Sequence, residues 1–211
     1  MNKRSLLIFP ALVLGLLAPK AQADTFLQYL APSTATSITF DGTTLTGTAI
    51  PVELSYLDPV SGAPATGTLN FTATALAGEA TEAFGFFFVV PVDDITFTLT
   101  NGSTNIISGT AALGNLDGTD AGLSLSANST DGIVFTSDLY GPRTGLSFQL
   151  NTGDPAPDLS VAAGTLSSFT ATATPGSFVG TAAVTPEPSA LTLLGTGMLG
   201  LLGVARRKLA A

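Results

Sequence analysis

From Asp24 onward, apolar and polar residues alternate with a period of two in many short runs. Ile38 and Phe40 alternate with Ser37 and Thr39, and Leu69, Phe71 and Ala73 with Thr68, Asn70 and Thr72. Ile95, Phe97 and Leu99 alternate with Thr96, Thr98 and Thr100, and Leu146, Phe148 and Leu150 with Ser147 and Gln149. Side chains of a strand point to opposite faces in turn, so this pattern predicts strands with one wet, Thr-rich face and one buried face. Phe84 to Val90 is apolar almost throughout. Its aromatic and β-branched content predicts a central strand buried on both faces. Turn chemistry separates the runs: Asp41-Gly42, Ser61-Gly62, Asn101-Gly102, Asp117-Gly118, Asp131-Gly132 and Gly153-Asp154-Pro155. Such residues accept positive φ or preset a turn. Roughly ten to twelve short strands at this spacing predict an all-β body, an antiparallel β-sandwich or jelly roll. Ala75 to Ala83 reads as a loop or one short helix.

The two ends follow a different pattern. Lys3 and Arg4 precede an apolar run from Leu6 to Ala18, which is followed by the small-x-small sequence Ala21-Gln22-Ala23. This is the layout of a secretory signal peptide, residues 1–23, with cleavage placing Asp24 first. The body then occupies residues 24–184. From Thr185 the chain reads Pro186-Glu187-Pro188-Ser189, then sixteen uncharged residues from Ala190 to Ala205, then Arg206-Arg207-Lys208. As a helix, residues 190–205 span roughly 24 Å at 1.5 Å per residue. That is short of a bilayer core of about 30 Å, and snorkelling Arg and Lys side chains offset part of the difference. The basic cluster acts as a stop-transfer signal and predicts a cytoplasmic end for this helix, with the body outside. The two prolines keep the preceding segment extended and accessible.

Pro-Glu-Pro, a Gly-rich apolar helix and a basic end resemble the PEP-CTERM sorting signal. The resemblance covers residues 185–211, with Pro186, Glu187 and Pro188 as the motif and Arg206 and Arg207 as the basic end. It implies export through the secretion machinery, an intermediate anchored in the inner membrane of a Gram-negative bacterium, and recognition by an exosortase. The cell surface or extracellular matrix is then the destination. It implies nothing about the body, since such tails are attached to unrelated domains.

Charge narrows what the body can contact. Of seven basic residues, only Arg143 lies between Asp24 and Thr185, against fourteen carboxylates, for a net charge of −13. Nucleic-acid binding needs Lys and Arg to neutralise phosphates, so nucleic acid is excluded as a partner. Anionic lipid is repelled by the same surface, while cations and neutral polysaccharide are compatible with it. The chain has no cysteine, so its core alone holds it together.

Candidate chemistry is sparse. Without His or Cys there is no imidazole triad, no thiol nucleophile and no Cys-ligated zinc. Paired carboxylates, as in glycoside hydrolysis, are the remaining catalytic device. Most of the Asp residues sit in turn contexts, and the chain has no Trp and only Tyr29, Tyr56 and Tyr140 as tyrosines. The expectation is therefore a non-catalytic envelope or matrix protein without a cofactor. A carbohydrate-binding module and a glycan-acting enzyme are the alternatives. Calcium is the one ion considered, with Asp117 and Asp120 beside Asn115 as candidate ligands and Asp93-Asp94 as a second acidic pair, because hard cations collect several oxygens. The EF-hand spacing is missing. Arg143, the single body cation, is expected to pair with an acidic loop or hold an anionic sugar.

Overall fold

The computed structural model describes residues 23–31, 37–58 and 60–182. The signal-peptide helix, the helix at 190–205, the Pro186-Glu187-Pro188 motif, Ala21 and the basic residues 206–208 lie outside the described residues.

Every regular element among the described residues is a strand. In chain order they are β1 (Asp24–Leu30), β2 (Ile38–Phe40), β3 (Thr44–Tyr56), β4 (Thr66–Ala75), β5 (Thr81–Ala83), β6 (Phe87–Asn101) and β7 (Thr104–Thr119). The second half holds β8 (Gly122–Ala127), β9 (Val134–Thr136), β10 (Arg143–Thr152), β11 (Val161–Ala162), β12 (Thr165–Leu166), β13 (Phe169–Ala171) and β14 (Ala173–Ala182). The body is antiparallel and all-β, as the alternation predicts. It is not a sandwich or jelly roll. The order β1-β14-β10-β8-β7-β6-β4-β3 returns to its start, because β1 pairs with β14 on one side and with β3 on the other. One sheet thus closes on itself as an eight-stranded up-and-down barrel, which removes the edges a sandwich leaves.

Twelve strands fill eight positions because four positions in the wall are broken strands. β1 and β2 pair successively with the two halves of β3, at Tyr56 to Glu53 and at Gly47 to Leu45. β4 and β5 lie in turn along β6, and β8 and β9 along β7. β13 and β14 are one strand interrupted at Thr172, pairing with β2 and then with β1. The β4–β5 break contains Gly78 and the β8–β9 break contains Asn128, Asp131 and Gly132, turn residues that leave the ladder and rejoin it. At Asn128–Asp131, for example, the Asp131 carboxylate accepts from Asn128 N at 2.7 Å, and Asp131 O accepts from Ala112 N at 2.9 Å. The predicted turn at Asp117-Gly118 falls inside β7, with the chain reversing between Thr119 and Gly122. Residues 76–80 form the loop alternative of the Ala75–Ala83 reading, followed by the three residues of β5.

The inward residues fill the barrel. Phe97 lies at its centre, with ring centroids 4.9 Å from Phe148, 5.3 Å from Phe135 and 5.4 Å from Phe178. Leu27, Ile38, Leu45, Ile50, Leu69, Ile95, Leu99, Leu116 and Leu125 are fully buried around this cluster. Eight strands enclose a space just wide enough for such side chains, so the barrel is a packed core and has no lumen. Gly109 makes room for it: a Cβ there would meet the Phe97 ring and the Val134 carbonyl. The outer wall carries a Thr ladder, in which the Thr72 and Thr96 hydroxyls share a hydrogen bond of 2.8 Å. A barrel facing lipid carries an apolar outer band. The outward positions of β4 and of the second half of β6, from Thr96 to Asn101, are instead Thr and Asn.

The run from Phe84 to Val90 is where pattern and structure part. Phe88 and Val90 are buried, but Phe84 is 90% exposed and Phe86 55% exposed. The chain reverses at Phe84-Gly85 between β5 and β6, so the apolar run is a hairpin tip leading into a strand with one buried face. Strand pairing, which periodicity does not reveal, decided this.

Candidate functional site at the barrel mouth

The two mouths of the barrel differ. At one lie the turns after β2, β7 and β10 and the β5–β6 hairpin, with the β11–β12 hairpin packed over the opening through buried Leu159 and Leu166. Asp120 holds this cover, its carboxylate accepting from Leu159 N at 2.8 Å. At the other mouth lie the first residue of β1 and the last of β14. Asp24 sits opposite Gly180, and Ala182 opposite Arg143. Ala23, the predicted cleavage residue, is exposed just ahead of β1. The first and last strands of the described body therefore begin and end at one mouth.

Arg143 organises that mouth. It begins β10, and its side chain is 9% exposed. The guanidinium carbon stands 4.1 Å from the centre of the Phe26 ring and 4.7 Å from that of Tyr140, within cation–π range. Nη2 donates to the Asp58 carboxylate, which is half exposed, and Nη1 donates to the Gly180 carbonyl at 3.3 Å. Nε has no hydrogen-bond partner among the described residues. The expected acidic-loop partner of Arg143 is thus Asp58, in the turn after β3.

Tyr140 is placed by the preceding turn. The Ser137 hydroxyl donates to Ile106 O at 2.5 Å and accepts from Leu139 N and Tyr140 N at 3.0 and 3.1 Å. The Tyr140 hydroxyl then donates to Phe26 O at 3.3 Å. Desolvation among these rings, reinforced by neighbouring Tyr56, pushes the Tyr140 phenol far above its usual range. It remains a neutral donor at any physiological pH.

A cavity of about 290 Å³ opens beside Arg143, lined by Phe26, Ile107, Phe135, Tyr140 and Pro142 among others. It follows from a gap in the wall. The β8–β10 ladder runs only from Phe148 to Asn151, and no ladder joins β9 to β10 nearer the mouth among the described residues. Sequence reasoning singled out Arg143 and Tyr140 separately. Their juxtaposition with Phe26, more than a hundred residues away, left no sequence signal.

The candidate cation ligands lie at the end of β7 and in the turn after it. Asp120 is engaged with Leu159 N, and burial raises the half-buried Asp117 carboxyl above its ordinary value. Among the described residues no group of three or more acidic side chains is placed to hold a metal ion. Two concavities carry one carboxylate each, Asp131 and Asp117. Tyr29 is buried in the core, while Tyr56 and Tyr140 lie at the mouth with ring centroids 6.4 Å apart.

Residues 184–208 match the model of the PEP-CTERM protein-sorting motif, so the chain carries that sorting signal at its C-terminal tail. The match begins two positions after Ala182, the last residue of the barrel wall. No curated protein and no solved structure matches the chain.

Proposed function

We propose that this is an exported, non-catalytic protein of the cell envelope or extracellular matrix, delivered by its tail and processed by an exosortase. The carrying observation is the sorting motif at 184–208, set directly behind β14. The placement of the ends supports the reading. With Asp24 and Ala182 at one mouth, a membrane-directed segment on each side of the body can reach one bilayer while the barrel is closed. The opposite mouth then faces away from the membrane. Residues 190–205 provide the anchored intermediate, with Arg206, Arg207 and Lys208 on the cytoplasmic side.

The body fits a scaffold better than an enzyme. Its interior is filled with Phe and Leu, and the concavities that carry carboxylates hold one each, whereas paired-carboxylate hydrolysis needs two about 5 to 10 Å apart. Tyr29 is buried inside the closed barrel and cannot form part of an aromatic platform for sugar, which weighs against a dedicated carbohydrate-binding module. The Thr-rich outer wall is the surface that would meet extracellular polysaccharide.

The test is intact-mass measurement of the protein recovered from its native host, with and without the double substitution Pro186→Ala, Pro188→Ala. The expected result is loss of the tail near Pro188 in the wild type only. A tail present in both would overturn processing and leave a plain membrane anchor.

A further inference from the structure

On the outer wall from β7 round to β1, five polar residues stand directly across from one another in strand order. Asn115 in β7 lies opposite Ser126 in β8, Ser126 opposite Gln149 in β10, Gln149 opposite Ser177 in β14, and Ser177 opposite Gln28 in β1. Their neighbours along the strands, Leu116, Leu125, Leu150, Phe178 and Leu27, are buried, so the five side chains face solvent. Amide and hydroxyl alternate along the row. With strands about 4.8 Å apart, its four steps span roughly 19 Å.

This row differs from the Thr ladder in two respects. The Thr72 and Thr96 hydroxyls bond to each other, whereas none of these five side chains has a hydrogen-bond partner among the described residues. The wall is also dented here. Where β10 steps from Gln149 to Asn151, β14 steps from Ser177 to Thr174, so Pro175-Gly176 forms a bulge that bends the strand. Asn151 Nδ2 holds the bulge by donating to Pro175 O at 2.5 Å. Two concavities of about 270 and 220 Å³ result, and Gln149 and Ser177 line both. Asn115 and Ser126 line the first and Gln28 the second. Each is smaller than the roughly 300 Å³ at which small-molecule pockets begin. Joined and open at the surface, they make a groove in which a chain can lie.

We propose that this groove binds a neutral polysaccharide, with the glycan lying across the strands from Asn115 to Gln28. An amide carries a donor and an acceptor in one plane, and a hydroxyl serves as either, so both sides of a contact with sugar hydroxyls can be satisfied. No Lys or Arg lines either concavity, Asp131 lines one, and the body carries −13, so an anionic glycan is repelled. A protein partner is a poor fit, because interface cores rest on aromatic and Met anchors and are depleted in Ser. The one exposed large hydrophobic side chain in the groove is Leu30. With no exposed ring to stack on sugar, each sugar residue is held by hydrogen bonds, and affinity accumulates along the polymer. That is a matrix contact and not a recognition module. It rests on the envelope or matrix reading and gives that reading a defined surface.

Affinity electrophoresis of the full-length mature chain tests this, in native gels containing a sugar-free polyoxyethylene detergent and one polysaccharide. The probes are dextran, hydroxyethyl-cellulose and galactomannan, with alginate as the anionic control. At least a twofold drop in mobility is expected in one or more of the neutral gels, and none in alginate. The double substitution Gln28→Ala, Gln149→Ala is expected to weaken retardation at least fivefold, and Asn115→Ala alone about threefold. The pair Thr72→Ala, Thr96→Ala, on the Thr ladder, should leave it unchanged. These side chains are exposed, and unfolding midpoints check that each variant is folded. Mobility unchanged in all three neutral gels overturns the proposal, as does retardation that survives loss of both glutamines or that is strongest in alginate. Because purified protein is used, a tail left intact in the native host would overturn processing without altering this result.

Discussion

Asp24 in β1 lies directly across from Gly180 in β14, so the first and last strands of the wall are hydrogen-bonded neighbours. Residues at opposite ends of the body must meet before the core is sealed. Closure of such a distant pair is entropically costly and slow to form, and β1 depends on its own buried side chains to stay in place.

Leu27 and Leu30 separate that dependence from simple apolar content. Both are in β1, but Leu27 is fully buried and Leu30 is 55% exposed. Leu27→Ala should destabilise the barrel by about 3 kcal/mol through lost burial and the cavity left behind. Leu30→Ala should stay within about 0.5 kcal/mol of wild type. Urea unfolding of the two variants checks this, with a shift in midpoint at unchanged slope expected for Leu27→Ala.

Gly109 and Gly141 test backbone packing in the same way. A Cβ at Gly109 would run into the Val134 carbonyl and the Phe97 ring, neither of which has room to retreat. Gly109→Ala should therefore cost about 1 to 3 kcal/mol by overpacking. Gly141→Ala meets open space and should be near neutral. Thermal melts of the pair should differ by several degrees.

Arg143 combines an ion pair with Asp58, a bond to Gly180 O and two ring contacts. Because Asp58 is half exposed, the ion pair itself contributes little, and the ring stacking and backbone bond dominate. Arg143→Ala should cost about 2 kcal/mol. Arg143→Lys should recover only part of it, since an ammonium cannot present a planar face to the rings and donate to both oxygens. Asp58→Asn should be the mildest of the three in the same unfolding assay.

Two carboxylates should shape the acid limb in opposite directions. Asp41 accepts from Thr44 N at 2.7 Å, the Thr43 hydroxyl at 2.7 Å and Thr43 N at 2.8 Å, which together hold its carboxyl below the ordinary value of 3.8. Its contribution is present above the unfolded value and lost as pH falls through the folded one. Asp41→Ala should thus lower the melting temperature at pH 7, with the difference from wild type narrowing as pH falls below 3.8. Asp117 is raised by desolvation, so the folded state holds its proton more tightly than the unfolded chain does. Stability falls as pH rises from the unfolded value through the folded one, and Asp117→Asn should melt higher than wild type at pH 7 but not below pH 3.8. Melts across pH 2.5 to 7 read both, and the same sign for the two substitutions at pH 7 would refute the pair.

Much of this molecule is written locally. The alternation at Leu69 to Ala73, Ile95 to Leu99 and Phe148 to Leu150 marks which side chains face the core, because a strand's period of two is a property of its own backbone. The turns at Asp41-Gly42 and Asn101-Gly102 are equally local. So is the sorting motif, which an enzyme must recognise as a linear segment. What tertiary structure alone decided is everything that depends on which strands meet. Closure of β1 onto both β3 and β14 made a barrel where alternation was equally compatible with a sandwich. Pairing of β5 with β6 put Phe84 and Phe86 in water although their neighbours resemble a buried strand. The mouth required Phe26, Asp58 and the Tyr140–Arg143 pair to converge from three separate segments. Periodicity records whether a residue is buried; it holds no information about the neighbour it is buried against, and that neighbour is fixed only when distant strands find their register.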